Sequence, residues 1–107
     1  MNLLIVNITC KNKEEATKIG KMLLEKKLVA CAKVTNEVHS MYLWPPKSGK
    51  IEEADEVMLI CKTLESKWEA IEMEVRSIHS YENPEIYSLP VSHVSQKYLN
   101  WLRGELQ

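Results

Sequence analysis

Two candidate strands in this chain are longer than the domain that would have to hold them. From Val29 to Trp44 little interrupts a strand, and from Ile51 to Thr63 a second runs back through Val57-Met58-Leu59-Ile60-Cys61. At ~3.3 Å per residue, a strand of about fourteen residues reaches roughly 45 Å. A compact domain of this size has a radius of gyration near ~13 Å and so a diameter of about 34 Å. The hairpin therefore overhangs its own core. A lone two-stranded ribbon is marginal in water, and its open edge is a template for another chain. The sequence thus predicts an obligate oligomer whose hairpins bury Ala30, Ala32, Val57 and Leu59 against neighbouring copies.

The rest of the chain reads as one domain over residues 1–107, with no linker, repeat or low-complexity stretch. Leu3 to Thr9 is a short apolar run rich in β-branched residues, as in a central strand buried on both faces. Asn12 with Glu15 reads as a capping box, and Ala16, Ile19, Leu23, Leu24 and Leu28 follow at helical spacing. Ala30, Ala32, Val34 and Val38 alternate with polar residues along the first hairpin strand. Pro45-Pro46-Lys47-Ser48-Gly49 forms its turn. Ser66 with Glu69 reads as a second capping box, ahead of Trp68, Ile71, Val75 and Ile78 on one helical stripe. Glu85 to Val91 follows as a strand whose Pro90 places it at an edge. Tyr98, Trp101 and Leu102 then mark a short last helix. The order is β-α-β-β-α-β plus a C-terminal helix, an α+β, ferredoxin-like arrangement with two helices on one face of an antiparallel sheet.

Charge and cysteine usage narrow the function. A formal net charge of -1 gives none of the basic excess that nucleic acid or an anionic membrane surface calls for. No apolar run approaches the ~20 residues of a membrane span. The start, Met1-Asn2-Leu3, has neither a basic segment nor a small-residue cleavage site, so the expected location is the cytoplasm. Cys10, Cys31 and Cys61 lie far apart and form no CxxC pair, against both a disulfide framework and a structural zinc site.

The segment His79-Ser80-Tyr81-Glu82-Asn83-Pro84-Glu85-Ile86 gathers an imidazole, a phenol and two carboxylates between a helix and a strand. His with Glu suits copper or zinc better than magnesium. A plainer reading has His79 complementing the helix dipole and Glu85 as a surface charge. Cys31 and Cys61 sit among apolar neighbours and read as core. Cys10, beside Lys11 at a strand end, is the stronger ligand candidate, because a nearby cation favours the thiolate. Tyr42 and Trp44 near the hairpin tip, with Tyr98 and Trp101, read as a ligand cage or an interface anchor. Lys62, a charge in a buried-looking strand, calls for an anionic partner and is expected to face a cleft that includes Glu85.

Several stretches, taken in order, carry a resemblance: Leu28-Val29-Ala30-Cys31-Ala32, Tyr42-Leu43-Trp44, Gly49-Lys50-Ile51-Glu52-Glu53, Glu56-Val57 to Lys62-Thr63, His79 to Ile86, Leu89-Pro90-Val91 and Tyr98-Leu99-Asn100-Trp101-Leu102. Through them the chain resembles the CutA family of divalent-cation tolerance proteins. The resemblance implies a ferredoxin-like fold, a tight homotrimer with hairpins pairing between subunits, a role in copper or other divalent-metal tolerance, and no established catalytic activity. It also implies a copper(II) site for which His79 and Glu85 are the matching residues; Cys10, two positions past Ile8 and so on the same strand face, is the candidate to substitute for the family's cysteine. Where members with a fuller ligand set carry a further Cys and His, this chain has Ile8 and Ile78. Ser80 replaces the family's proline after the histidine.

Three functions follow as expectations. The first is a trimeric metal-binding protein using His79, Glu85 and Cys10. The second is a trimer binding a small anionic effector or a partner protein in its inter-subunit clefts, through Lys62, Tyr81, Tyr42 and Trp44. An enzyme ranks last, since no nucleophile–base pair, phosphate loop or HExxH is legible.

Overall fold

The computed structural model describes residues 3–107; Met1 and Asn2, part of the start expected to lack a leader, lie outside the described residues. Strand β1 (Leu3–Cys10) leads into helix α1 (Lys13–Glu25). The hairpin is β2 (Cys31–Leu43) with β3 (Ile51–Leu64), and a 3-10 turn over Glu65–Lys67 starts helix α2 (Trp68–Ile78). Strand β4 (Ile86–Pro90) and helix α3 (Gln96–Glu105) complete the chain. The sheet order is β2-β3-β1-β4 with every neighbouring pair antiparallel, so the ferredoxin-like expectation holds and β4 lies at an edge.

Register explains the overhang. β1 pairs with β3 only over Val57–Leu64, while β2 continues pairing down to Leu43↔Ile51. Residues 38–43 and 51–56 therefore form a ribbon with no third strand beside it among the described residues. The molecule measures 46 × 26 × 25 Å along its principal axes. At the ribbon's tip the chain reverses through a cis Trp44-Pro45 bond, with Lys47 and Gly49 at positive φ.

One face of the sheet holds the main core. Leu4, Val6, Ile8 and Cys10 of β1 meet Val57, Leu59 and Cys61 of β3, and α1 and α2 cover them with Ala16, Ile19, Leu23, Ile71 and Val75. The expectation that Val57 and Leu59 pack against neighbouring copies is thereby overturned: they are 2% and 0% exposed within their own chain. Gly20 lets α1 sit close, since a Cβ there would lie 3.2 Å from Leu59 Cδ1 and 3.3 Å from the Ala32 Cβ. At the far end of the other face, a smaller cluster of Leu3, Leu102 and Leu106 seats α3.

Two local expectations fail for identifiable reasons. A bulge in β2 places Thr35 and Asn36 opposite Met58, so Val34 pairs with Leu59 but Val38 pairs with Glu56 on the opposite face. One extra residue shifts the alternation, and Thr35 Oγ1 accepts the Met58 N–H that the ladder would otherwise use. Ser66 does not cap α2: it lies inside the 3-10 turn, and Lys67 stands at the cap position without a side-chain bond.

Candidate functional site

The end of β1 is where the chemistry collects, because α1 begins three residues later and α2 ends beside it. Asn12 caps α1 by accepting the Glu15 N–H at 2.9 Å. The expected reciprocal bond does not form. Glu15 Oε1 instead accepts from Lys11 N at 3.0 Å, and Oε2 reaches across to Ser80 N at 2.9 Å. Burial pushes the Glu15 carboxyl up, but those bonds and the neighbouring His79 outweigh it and hold the group below its ordinary value. Glu15 thus ties the start of α1 to the loop after α2.

His79 ends α2 as its C-cap. Its Nε2 lies 2.8 Å from the Thr9 carbonyl oxygen, and its Nδ1 accepts the Tyr81 N–H at 3.0 Å. A carbonyl takes only a donor and an amide N–H needs an acceptor, so these contacts fit a neutral ring protonated on Nε2. Cys10 points into the core beneath it and is fully buried. Ligand atoms of Cys10, Glu15 and His79 lie within 4.8 Å of one another. The expectation that Lys11 favours the Cys10 thiolate is reversed: burial, then the charges of Glu15 and Glu56, push the thiol up to about 12.

Cys10 and His79 are therefore brought together, and Glu85 is not with them. Glu85 Oε1 accepts from Thr9 Oγ1 at 2.8 Å, and the Thr9 side chain projects from the face opposite Cys10, as alternation along a strand requires. Sequence reasoning missed Glu15, having assigned its carboxylate to the capping box; the signal available was its place one turn past the end of the strand that carries Cys10.

On that opposite face the overhanging ribbon and the loop after α2 enclose a cleft of about 790 Å³. Tyr42 and Trp44 of the ribbon, and Tyr81, Glu82 and Glu85 of the loop, line it together with Glu56 from β3. Tyr81 and the two ribbon aromatics thus line one cleft within the chain. Lys62 is not: it pairs with Ile5, four positions along β1 from Thr9, roughly 13 Å away at ~3.3 Å per residue. Tyr81 donates its hydroxyl proton to Glu56 Oε2 at 2.7 Å. Burial first, then Glu56, raises the phenol above its ordinary value and keeps it a donor. Tyr98 and Trp101 pack with their rings tilted at 42° on α3, and neither lines this cleft; the Tyr98 hydroxyl is also 3.5 Å from Cys31 Sγ.

Comparison with known proteins gives the lineage. Residues 4–105 match the family model described as CutA1 divalent ion tolerance protein. A divalent-cation tolerance protein CutA of Thermotoga maritima is 41% identical over 101 residues, covering 94% of this chain and 96% of its own. A CutA homolog of Xenopus laevis is 42% identical over 95 residues and human CutA 40% over 96, covering 89% and 90% of this chain. The chain spans only 61% and 52% of the length of those two. Among solved structures, the periplasmic divalent cation tolerance protein CutA of Archaeoglobus fulgidus superposes with a TM-score of 0.92 at 35% identity, over 98% of this chain and 99% of its own. CutA1 of Oryza sativa gives 0.93 at 32%, over 100% and 95%. A match over nearly the whole length in both sequence and fold places the chain in the CutA1 divalent ion tolerance family.

Proposed function

We propose that the protein is a homotrimeric metal-binding protein of cation tolerance, holding a transition metal, copper(II) foremost, among Cys10, Glu15 and His79. The observation that carries this reading is the approach of a thiol, a carboxylate and an imidazole to within 4.8 Å of one another. Sulfur, nitrogen and oxygen donors together suit a borderline ion, and copper(II) heads the divalent series on such ligands. Each donor is already engaged, so ligation is costly: His79 must release the Tyr81 N–H, and Cys10 must give up its proton. The expected binding is accordingly modest. Among the described residues the Cys10 thiol bonds to the Ile8 carbonyl at 3.8 Å and not to His79, and we read the site as a binding site rather than a catalytic one. Three unpaired cysteines favour a reducing compartment such as the cytoplasm.

Calorimetric titration with copper(II) and zinc(II) at neutral pH tests the site. His79→Ala and Cys10→Ser should each remove most of the copper binding, while Glu85→Gln, on the other face, should keep it. Copper affinity unchanged in both of the first two variants overturns the assignment. Hydrogen exchange gives a second reading, since the Tyr81 amide should lose protection when copper is added.

A further inference from the structure

The two backbone amides that follow His79 both point at metal-ligand candidates. Ser80 N donates to Glu15 Oε2 at 2.9 Å, and Tyr81 N donates to His79 Nδ1 at 3.0 Å. With Nε2 donating to the Thr9 carbonyl, Nδ1 carries the lone pair of the neutral ring, and a neutral imidazole ligates through that pair. One short turn of backbone thus occupies two of the three donors at once. How readily they become available depends on what keeps that turn in place.

At its start the turn is held by α2, since the His79 amide donates to the Val75 carbonyl at 2.9 Å. Its other hold is the Tyr81 side chain. The ring packs on the imidazole, with centroids 4.9 Å apart and planes at 49°, and the hydroxyl donates to Glu56 Oε2 at 2.7 Å. Glu56 is 7% exposed and stands at the base of the ribbon, next to Val57, whose pairing with Cys10 is the last between β3 and β1. A hydrogen bond to a carboxylate is among the stronger kinds, and more so away from water. The Tyr81 backbone therefore faces the metal candidates while its hydroxyl is fastened to the ribbon on the other face of the sheet.

A site whose donors are covered binds in proportion to the fraction of molecules in which they are uncovered. We infer that Tyr81 and Glu56 form a latch that sets the metal affinity of the Cys10–Glu15–His79 site, holding the turn over its donors and keeping binding weak. The inference rests on the metal-site reading above and makes Tyr81 a positioning residue for that site. Linkage makes the coupling reciprocal, so occupation of the site loosens the hold of the ribbon on the turn.

Tyr81→Phe reads the latch, because it keeps the ring against His79 and removes only the hydroxyl. Calorimetric titration with copper(II) at neutral pH should show this variant binding about tenfold more tightly than the wild type, the factor matching one hydrogen bond to a charged group. Glu56→Met keeps the side-chain length and removes the acceptor, so it should gain as much, and the double variant should gain no more than either single one. In metal-free protein the Ser80 and Tyr81 amides should exchange faster in Tyr81→Phe than in the wild type. Copper affinity in Tyr81→Phe equal to or below that of the wild type overturns the latch, as do gains that add in the double variant. Unchanged exchange of the two amides overturns it as well, and this measurement decides the matter if Glu56→Met fails to fold. Failure of the latch alone leaves His79→Ala without copper binding and Tyr81→Phe like the wild type. Copper binding in His79→Ala equal to that of the wild type is the different result that overturns the site and, with it, the role of the latch.

Discussion

At the scale of single residues, two side chains hold the hairpin in place by different means. Thr63 is fully buried and donates its hydroxyl to the Leu28 carbonyl at 2.6 Å, fastening the segment after α1 to β3. Thr63→Val keeps the β-branched shape and removes the donor, leaving a carbonyl short of a partner; the expected cost is about 1–3 kcal/mol in urea unfolding at fixed protein concentration. A loss indistinguishable from zero would show that water replaces the hydroxyl. His39 works on the exposed ribbon, with Nδ1 3.0 Å from Asp55 Oδ1 and Nε2 2.7 Å from Glu53 Oε1. Only the imidazolium donates from both nitrogens, and the hydrogen bonds to Asp55 and then Glu53 raise the His39 pKa. A raised pKa means that the contribution is complete below the unfolded value near ~6.5 and fades as pH climbs through the higher folded value. Relative to His39→Gln, the wild type should therefore gain ribbon protection in hydrogen exchange at pH 5.5 and lose that advantage by pH 9; a pH-independent difference would contradict the pairing. Residue types made part of the metal candidate legible, since Cys10 and His79 carry recognisable ligand chemistry. Glu15 and Glu85 were harder to assign, because which face of β1 each carboxylate reaches is a property of the folded sheet.

Elements were legible in proportion to how far local pattern determines them. The hairpin's excess length is a matter of counting residues, and α1 follows from its cap and apolar spacing. The bulge at Thr35 left no such mark, because the alternation on either side of it looks regular until the register of β3 is known. Ser66 was misread for a related reason: the 3-10 turn advances the start of α2, so a serine at capping distance in sequence is already inside the turn. The seating of α1 gives the sharpest test at this scale. Alanine in place of glycine ordinarily favours a helix by about 1 kcal/mol. At Gly20 the new Cβ meets Leu59 Cδ1 at 3.2 Å and the Ala32 Cβ, fixed to a strand backbone, at 3.3 Å. Overpacking a close-packed core typically costs ~1–3 kcal/mol, so Gly20→Ala should be net destabilising by about 1 kcal/mol and Gly20→Val by more. A stabilised alanine variant would show that α1 can lift from the sheet.

For the whole molecule, the apolar surface left exposed is the decisive quantity. Leu43 is 71% exposed, Ile51 69% and Met41 68%, all on the ribbon beyond β1, and Leu89 on edge strand β4 is 53% exposed. With β2 and β4 as the two free edges of the sheet, one copy can offer its hairpin edge to the β4 of the next. Such a head-to-tail contact closes into a ring when the rotation permits, and three copies is the number the family resemblance implies. A ribbon completed only by its neighbours ties folding to assembly, so the thermal midpoint should rise with protein concentration. Light scattering should give three times the chain mass of 12.4 kDa at micromolar concentration. Leu43→Lys combined with Leu89→Lys places charges on the ribbon and on β4 while leaving the core beneath α1 and α2 untouched, because neither residue belongs to it. That variant should dissociate and melt well below the wild type, losing the concentration dependence as it does so. A wild type with the mass of a single chain, or a double variant that keeps the full assembly, would mean that these edges and side chains are not what the copies share.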